Sequence, residues 1–299
     1  MRALAAALIV LLLPAQAALA HGGASHVPEP AWSFDPWVTL PLLLSLLLYL
    51  LGTATVWRHA GSGRGIRRGQ VAAYLLGWLC LAAALVSPLH WLGEHLFVAH
   101  MVEHEIVMVL AAPLLVLSRP LGAALWALPQ SSRRALGKLG HGRLWRDLWH
   151  RLTRPAVATL LHALAIWIWH LPVLFDATVT QIAMHRAQHL SFLLSALLFW
   201  WSLRRRRDPA VAAGHLFVTM AHTGILGALL TFAPRVLYAN QTAQAPLWGL
   251  TPLEDQQLAG LVMWVPGGIV YAGAALVCIA SWIRRAGRAT EDAHVRTVP

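Results

Sequence analysis

Two pairs of histidines, His100/His104 and His185/His189, are each spaced i, i+4 in stretches apolar enough to be helical. At about 100° per residue, that spacing puts both rings of a pair on one helix face, roughly 40° apart. Neutral imidazoles so placed can ligate a transition metal. They can also form a hydrated network of His–carboxylate hydrogen bonds without any metal, and both readings stand at this point. Met101 and Met108 fall on the side of His100, and Glu103 and Glu105 sit on its two flanks. The run from Glu94 stays apolar to Leu117. Ionisable side chains are costly in a bilayer and face a bundle interior or a water-filled cavity.

The elements that would carry these residues emerge from composition. The 299 residues are 58% hydrophobic and 12% charged, with mean hydropathy +0.59. That is a polytopic membrane protein rather than a soluble domain. The two cysteines, Cys80 and Cys278, lie in separate apolar segments, so neither a disulfide framework nor a thiolate site is implied. Residues 1–20 read as a cleaved secretory signal, with Arg2, an apolar run and Ala18-Leu19-Ala20. Cleavage there would leave His21 as a terminus able to chelate copper with His26 nearby, or a plain polar leader over 21–35. Beyond it lie seven apolar segments, at about 36–57, 71–92, 97–117, 155–173, 186–203, 211–233 and 257–283. Each approaches or exceeds the length that crosses roughly 30 Å of hydrocarbon. The expected fold is therefore an all-α, polytopic membrane helix bundle of seven transmembrane helices over residues 36–283, with a cytoplasmic tail at 284–299.

Arginine placement orients the bundle. The connections 58–70, 118–154 and 204–207 and the tail carry nearly all of the 23 Lys and Arg, leaving Arg186 and Arg235 opposite. By the positive-inside rule those connections are cytoplasmic and the mature N-terminus is outside. The net charge of +11 is thereby explained by topology, and no nucleic acid is needed as a partner. The connection 118–154, with Trp126, Trp145 and Trp149, reads as a basic amphipathic stretch on the inner leaflet.

With this topology the ligand-type residues meet in one outer layer. His100 and His104 open the third helix, His170 ends the fourth, His185 and His189 open the fifth, and Asp255 and Met263 open the seventh. His90 and His95 sit in the adjoining outer loop. Imidazole with thioether and little thiolate suits copper, with zinc as the competitor. The expected ligands are His100, His104, His185 and His189, with His170, Met101 and Met263 as secondary candidates. Glu103 and Asp255 are expected to orient imidazoles or relay protons. His162 and His222, mid-helix, could ligate a haem iron or form a buried hydrogen-bonding pair. A haem-binding redox protein and a copper permease are thus the alternatives to a copper-handling factor. His59, His141, His150, His215 and His294 fall on the basic side and are expected to be solvated. No nucleophile motif, phosphate loop or dinucleotide fingerprint points to catalysis.

Four blocks carry a resemblance. They are His100-Met-Val-Glu-His104-Glu with Ala112-Pro-Leu-Leu-Val-Leu; Trp167-Ile-Trp-His170-Leu-Pro-Val-Leu-Phe-Asp176; His185-Arg-Ala-Gln-His189-Leu-Ser-Phe; and Leu253 to Gly268. Together they resemble the CtaG family, seven-helix bacterial membrane proteins linked to cytochrome c oxidase assembly. The same name is used for an unrelated single-span copper chaperone, which this sequence does not resemble. The resemblance covers roughly residues 35–283. It implies an inner-membrane assembly factor that helps place copper on the outer face. The partners it implies are oxidase subunits, the lipid bilayer and a periplasmic copper chaperone.

Overall fold

The computed structural model describes residues 29–140, 142–205 and 208–297, which form helices, turns and loops with no strand among them. The segment 1–20 expected to be a signal, His21 and His26 lie outside the described residues. Proline punctuates the chain. It occupies the first helical position of α1 (Pro36–Ala60), of the short α3 (Pro88–Gly93), and of several later helices. There its fixed φ suits helix entry and its missing N–H costs nothing. Asp35 caps α1 by accepting from Trp37 N at 3.0 Å. Between α1 and α3 runs α2 (Arg68–Leu85).

The fourth helix, α4 (Phe97–Ser118), is not uniform. It is α-helical over Phe97–Glu105, π-helical over Ile106–Ala111 and α-helical again over Ala112–Ser118. The wider turn leaves the Met108 carbonyl to accept from Trp200 Nε1 at 3.0 Å. Such stretches recur at functional sites. Arg119, in the left-handed region at φ 55°, turns the chain into α5 (Pro120–Ala127). The basic connection then forms α6 (Gln130–Gly140) and α7 (Arg143–Leu152). The Trp145 and Trp149 rings stack in α7 with centroids 6.2 Å apart, and the Arg133 guanidinium lies over Trp126 at 4.4 Å.

The remaining helices are α8 (Pro155–Trp169), α9 (Pro172–Thr180), α10 (Ile182–Arg204), α11 (Pro209–Thr231) and α12 (Pro252–Thr297). The segment expected to be a tail thus continues α12. Among the described residues, five helices are long and apolar enough to cross a membrane: α1, α2, α4, α11 and α12. The pair α7–α8, bent by 69°, would make a sixth. Helices also stand at the two other expected segments. By itself α8 has 15 residues, about 22 Å at the helical rise and short of the hydrocarbon thickness. The first two turns of α10 carry His185, Arg186, Gln188 and His189, which lowers its hydropathy.

Two larger buried clusters, with a small third one around Leu96, Ala99 and Ala245, hold the described helices. One joins α4, α8, α9, α10, α11 and α12 around Phe97, Ile166, Phe175, Phe192, Phe199 and Tyr271. The other joins α1, α2, α5 and the inner part of α4 around Tyr49, Tyr74, Leu81 and Ala111. The helices α11 and α12 meet closely through Gly227 and Gly260. A Cβ on Gly260 would lie 2.6 Å from Gly227 O and 2.6 Å from Thr231 N. Without small residues there, the backbones could not approach. Gly260→Val is therefore expected to cost more than about 3 kcal/mol, because backbone must move. Gly224→Ala, whose nearest new contact is a Trp264 carbon at 3.4 Å, is the tolerated control. Thermal unfolding in detergent separates the two.

Candidate metal centre

The histidine end of the bundle is built from α3, α4 and α10. The first turn of α4 begins at Leu96, which supplies no side-chain cap, so its leading N–H groups need acceptors from elsewhere. Asp255, from the first turn of α12, supplies them. Its Oδ2 accepts from Phe97 N and its Oδ1 from Val98 N, each at 2.9 Å. Its placement differs from the sequence expectation: both oxygens serve the backbone, where a carboxylate suits a helix N-terminus. Asp255 thus fixes the depth and rotation of α4. One turn later, His100, Glu103 and His104 point into the bundle, 2%, 0% and 1% exposed.

Facing them, α10 brings His185 and His189, whose Nε2 atoms lie 2.8 Å apart. His189 is 8% exposed. The His104 and His189 ring centroids are 5.0 Å apart, and those of His100 and His185 are 5.4 Å apart. The four histidines expected as ligands thus come together. The structure adds His90, from α3. Its Nδ1 sits 3.3 Å from Glu103 Oε1, and its ring is 5.4 Å from that of His185. Gly93, at the end of α3, permits this approach, since a Cβ there would lie 2.6 Å from Glu103 Oε1. Glu103 Oε2 also lies 3.8 Å from His189 Nε2 and 4.0 Å from His100 Nδ1. Glu103 is therefore in direct reach of a shared ion, besides being placed to orient rings. Burial opposes the charge on His90, but Glu103, Glu94 and Asp35 together outweigh it and raise the imidazole pKa above its ordinary value.

Metal-compatible groupings result. His90, Glu103, His185 and His189 can each present one ligand atom with all such atoms within 4.8 Å of one another, and so can His100, His104 and His189. Zinc or copper with imidazole bonds near 2.1 Å needs ligand atoms within about 4.2 Å, so small rotamer changes suffice. The chemistry of the donors fits as well. His100 Nε2, both nitrogens of His104 and His189 Nδ1 are buried without a hydrogen-bond partner. Each such atom costs about 1–3 kcal/mol, which coordination would offset. Arg186, between the two α10 histidines, is held by Asp35 through Nε–Oδ2 at 2.7 Å and Nη2–Oδ1 at 2.9 Å. That pair neutralises the guanidinium and ties the start of α1 to α10.

The secondary candidates sit otherwise. His170 is buried, with Nδ1 2.7 Å from its own Ile166 O and its ring beside Phe175 and Phe192. It belongs to neither grouping. Met101 and Met263 are both buried in the apolar core with Phe97 and Tyr238. His95 Nδ1 lies 2.6 Å from Trp91 O. Mid-bundle, His162 Nδ1 lies 3.0 Å from Ser195 Oγ, and Trp167 Nε1 donates to His222 Nδ1 at 3.4 Å. His215, expected in solvent, contacts Thr159 Oγ1 at 3.0 Å. The α11–α12 connection closes the histidine end: Tyr238 OH donates to His170 O at 2.6 Å and Gln241 Nε2 to Gly93 O at 2.8 Å. In the sequence, neither His90 nor Glu103 stands out as a ligand. The Pro88–Gly93 helix that carries His90 has only six residues and no periodicity to read.

The chain is 27% identical over 283 residues to the uncharacterized protein ML1998 of Mycobacterium leprae (strain TN). The match covers 88% of this chain and 41% of that protein, so the chain spans under half the length of that relative. No solved structure matches. Residues 47–285, which hold every imidazole of the cluster and the helices that carry them, match the cytochrome c oxidase caa3 assembly factor family (Caa3_CtaG), and the chain belongs to that family.

Proposed function

We propose that this protein binds copper at its histidine cluster and hands it to cytochrome c oxidase during assembly. One observation carries the reading. Imidazoles from α3, α4 and α10 converge at one end of a membrane bundle, with buried nitrogens that no protein group satisfies. Family membership supplies the destination, the oxidase. Copper is cargo in this reading, so the site must release it. A cuprous ion would arrive from a periplasmic donor, exchange onto the imidazoles, and leave sideways to an oxidase subunit. Seven crossings, with α8 and α10 completing the five or six marked by length and hydropathy, would put the cluster on the periplasmic face of a bacterial inner membrane. The arginine-rich connections would then lie in the cytoplasm. Zinc is the competing metal for a site with a carboxylate.

Anaerobic titration of the detergent-solubilised protein with cuprous ion tests this. The wild type is expected to retain copper through desalting. Single alanine variants at His100, His104, His185 and His189 are expected to retain less, each by about tenfold or more in affinity. Equal retention by all four variants would overturn the assignment. A Soret band in the purified protein would point instead to haem at His162 and His222. Copper uptake into sealed vesicles would point to a permease.

A further inference from the structure

We infer that the cluster is two metal stations in series, joined at His189, and not one site. The inference rests on the copper-handling reading and specifies the cargo's path within it. The outer station is His90, Glu103, His185 and His189; the inner is His100, His104 and His189. Three differences separate them.

The first is composition. The outer station contains a carboxylate, while the inner is all imidazole. The charge an ion can carry therefore differs. A divalent ion on those three neutral imidazoles would bring two positive charges into a buried, low-dielectric pocket where Glu103, 4.0 Å from His100 Nδ1, is a neighbour and not one of the grouped ligands. A monovalent ion leaves one, and the desolvation cost rises as the square of charge, about fourfold between them. The inner station therefore selects a monovalent d10 ion, cuprous or its analogue Ag+. In the outer station Glu103 cancels one charge of a divalent ion, so Zn2+ is held there on terms the inner station cannot match. The second difference is access. His100 and His104 are buried, whereas His90 and His185 are partly exposed, so loading begins at the outer station. The third is the ligand held in common. His189 presents Nε2 to His185 and to Glu103, at 2.8 Å and 3.8 Å, and its Nδ1 is buried without a partner. Filling both stations at once uses both ring nitrogens of His189, one per ion, and the ring's N–H proton leaves to solvent through the partly exposed outer station as the second ion binds; an ion passes between stations by exchanging nitrogens and neighbouring ligands within the cluster.

The experiment uses the full chain in detergent with Ag+ and Zn2+, counted by elemental analysis after desalting. The wild type is expected to hold two Ag+ per chain, but one Zn2+. Protein loaded first with Zn2+ should still take up one Ag+ without losing its zinc. That competition needs no variant. Among variants, His104→Ala should keep the zinc and lose one Ag+. His185→Ala should lose the zinc and keep one Ag+. Displacement of Zn2+ by Ag+ one for one, with a single ion of either kind per chain, would overturn the two-station inference while leaving the copper reading in place. No retention of either metal would overturn both.

Discussion

Cells in which this protein carries His100→Ala together with His104→Ala are expected to assemble cytochrome c oxidase that is poor in copper. The variant itself should accumulate normally in the membrane. Binding and folding respond differently to the change. It removes two of the three imidazoles in the fully buried grouping, leaving His189 alone. Losing a residue that merely supports a metal ligand costs about 10–100-fold in affinity. Losing two direct ligands should exceed about 100-fold. Folding, by contrast, should suffer little. His104 has two buried nitrogens without partners and His100 has one, so alanine removes polar atoms that already cost stability. The measurement is copper content and activity of the oxidase in isolated membranes, beside immunodetection of the variant. An oxidase that matures normally would mean that the protein acts as a scaffold and that its histidines serve the fold.

Asp255→Ala is expected to have the opposite signature, with stability and metal retention falling together. The carboxylate accepts from Phe97 N and Val98 N at 2.9 Å, and all three groups lie among the buried or nearly buried first turns of α4 and α12. Hydrogen bonds to a charged acceptor contribute about 1.5–3 kcal/mol each. Truncation should therefore cost about 3–6 kcal/mol, a large share of the stability of an ordinary domain. Asp255→Asn, which keeps one carbonyl acceptor, should lose roughly half as much. Freed of its anchor, the start of α4 can shift and splay His100 and His104 from His189. The check is the thermal midpoint in detergent, measured alongside retained copper. Lost copper with an unchanged midpoint would restore the role that sequence alone suggests, orienting imidazoles or passing protons.

These residues differ in how far sequence reveals them. His100/His104 and His185/His189 are legible because an i, i+4 pair is a local pattern, and topology then places both pairs at one end. The helical class is legible from the apolar runs and the prolines at their starts. The anchoring role of Asp255 is not, because its partners are 158 and 157 residues away and nothing nearby marks it as a cap. His90 is not, because its approach to Glu103 depends on an absent side chain at Gly93. Met101 reads two ways in sequence, since a thioether one residue from His100 fills the core as readily as it binds a metal. The number of crossings is also harder to read than the helices themselves. The helix that brings His185 and His189 is made less apolar by the residues that matter most.

The π-helical stretch Ile106–Ala111 acts as a vernier within α4. It holds an additional residue between the histidine-bearing half and the half that packs on α2 through Leu115. Each residue added to or taken from a helix rotates the downstream half by about 100°. A single-residue deletion there would leave the helix continuous, yet put its two halves out of phase. Either the imidazoles would swing away from α10 or the inner anchor would leave its partners. Chain length is therefore more tightly constrained in this apolar segment than in the loops around the site.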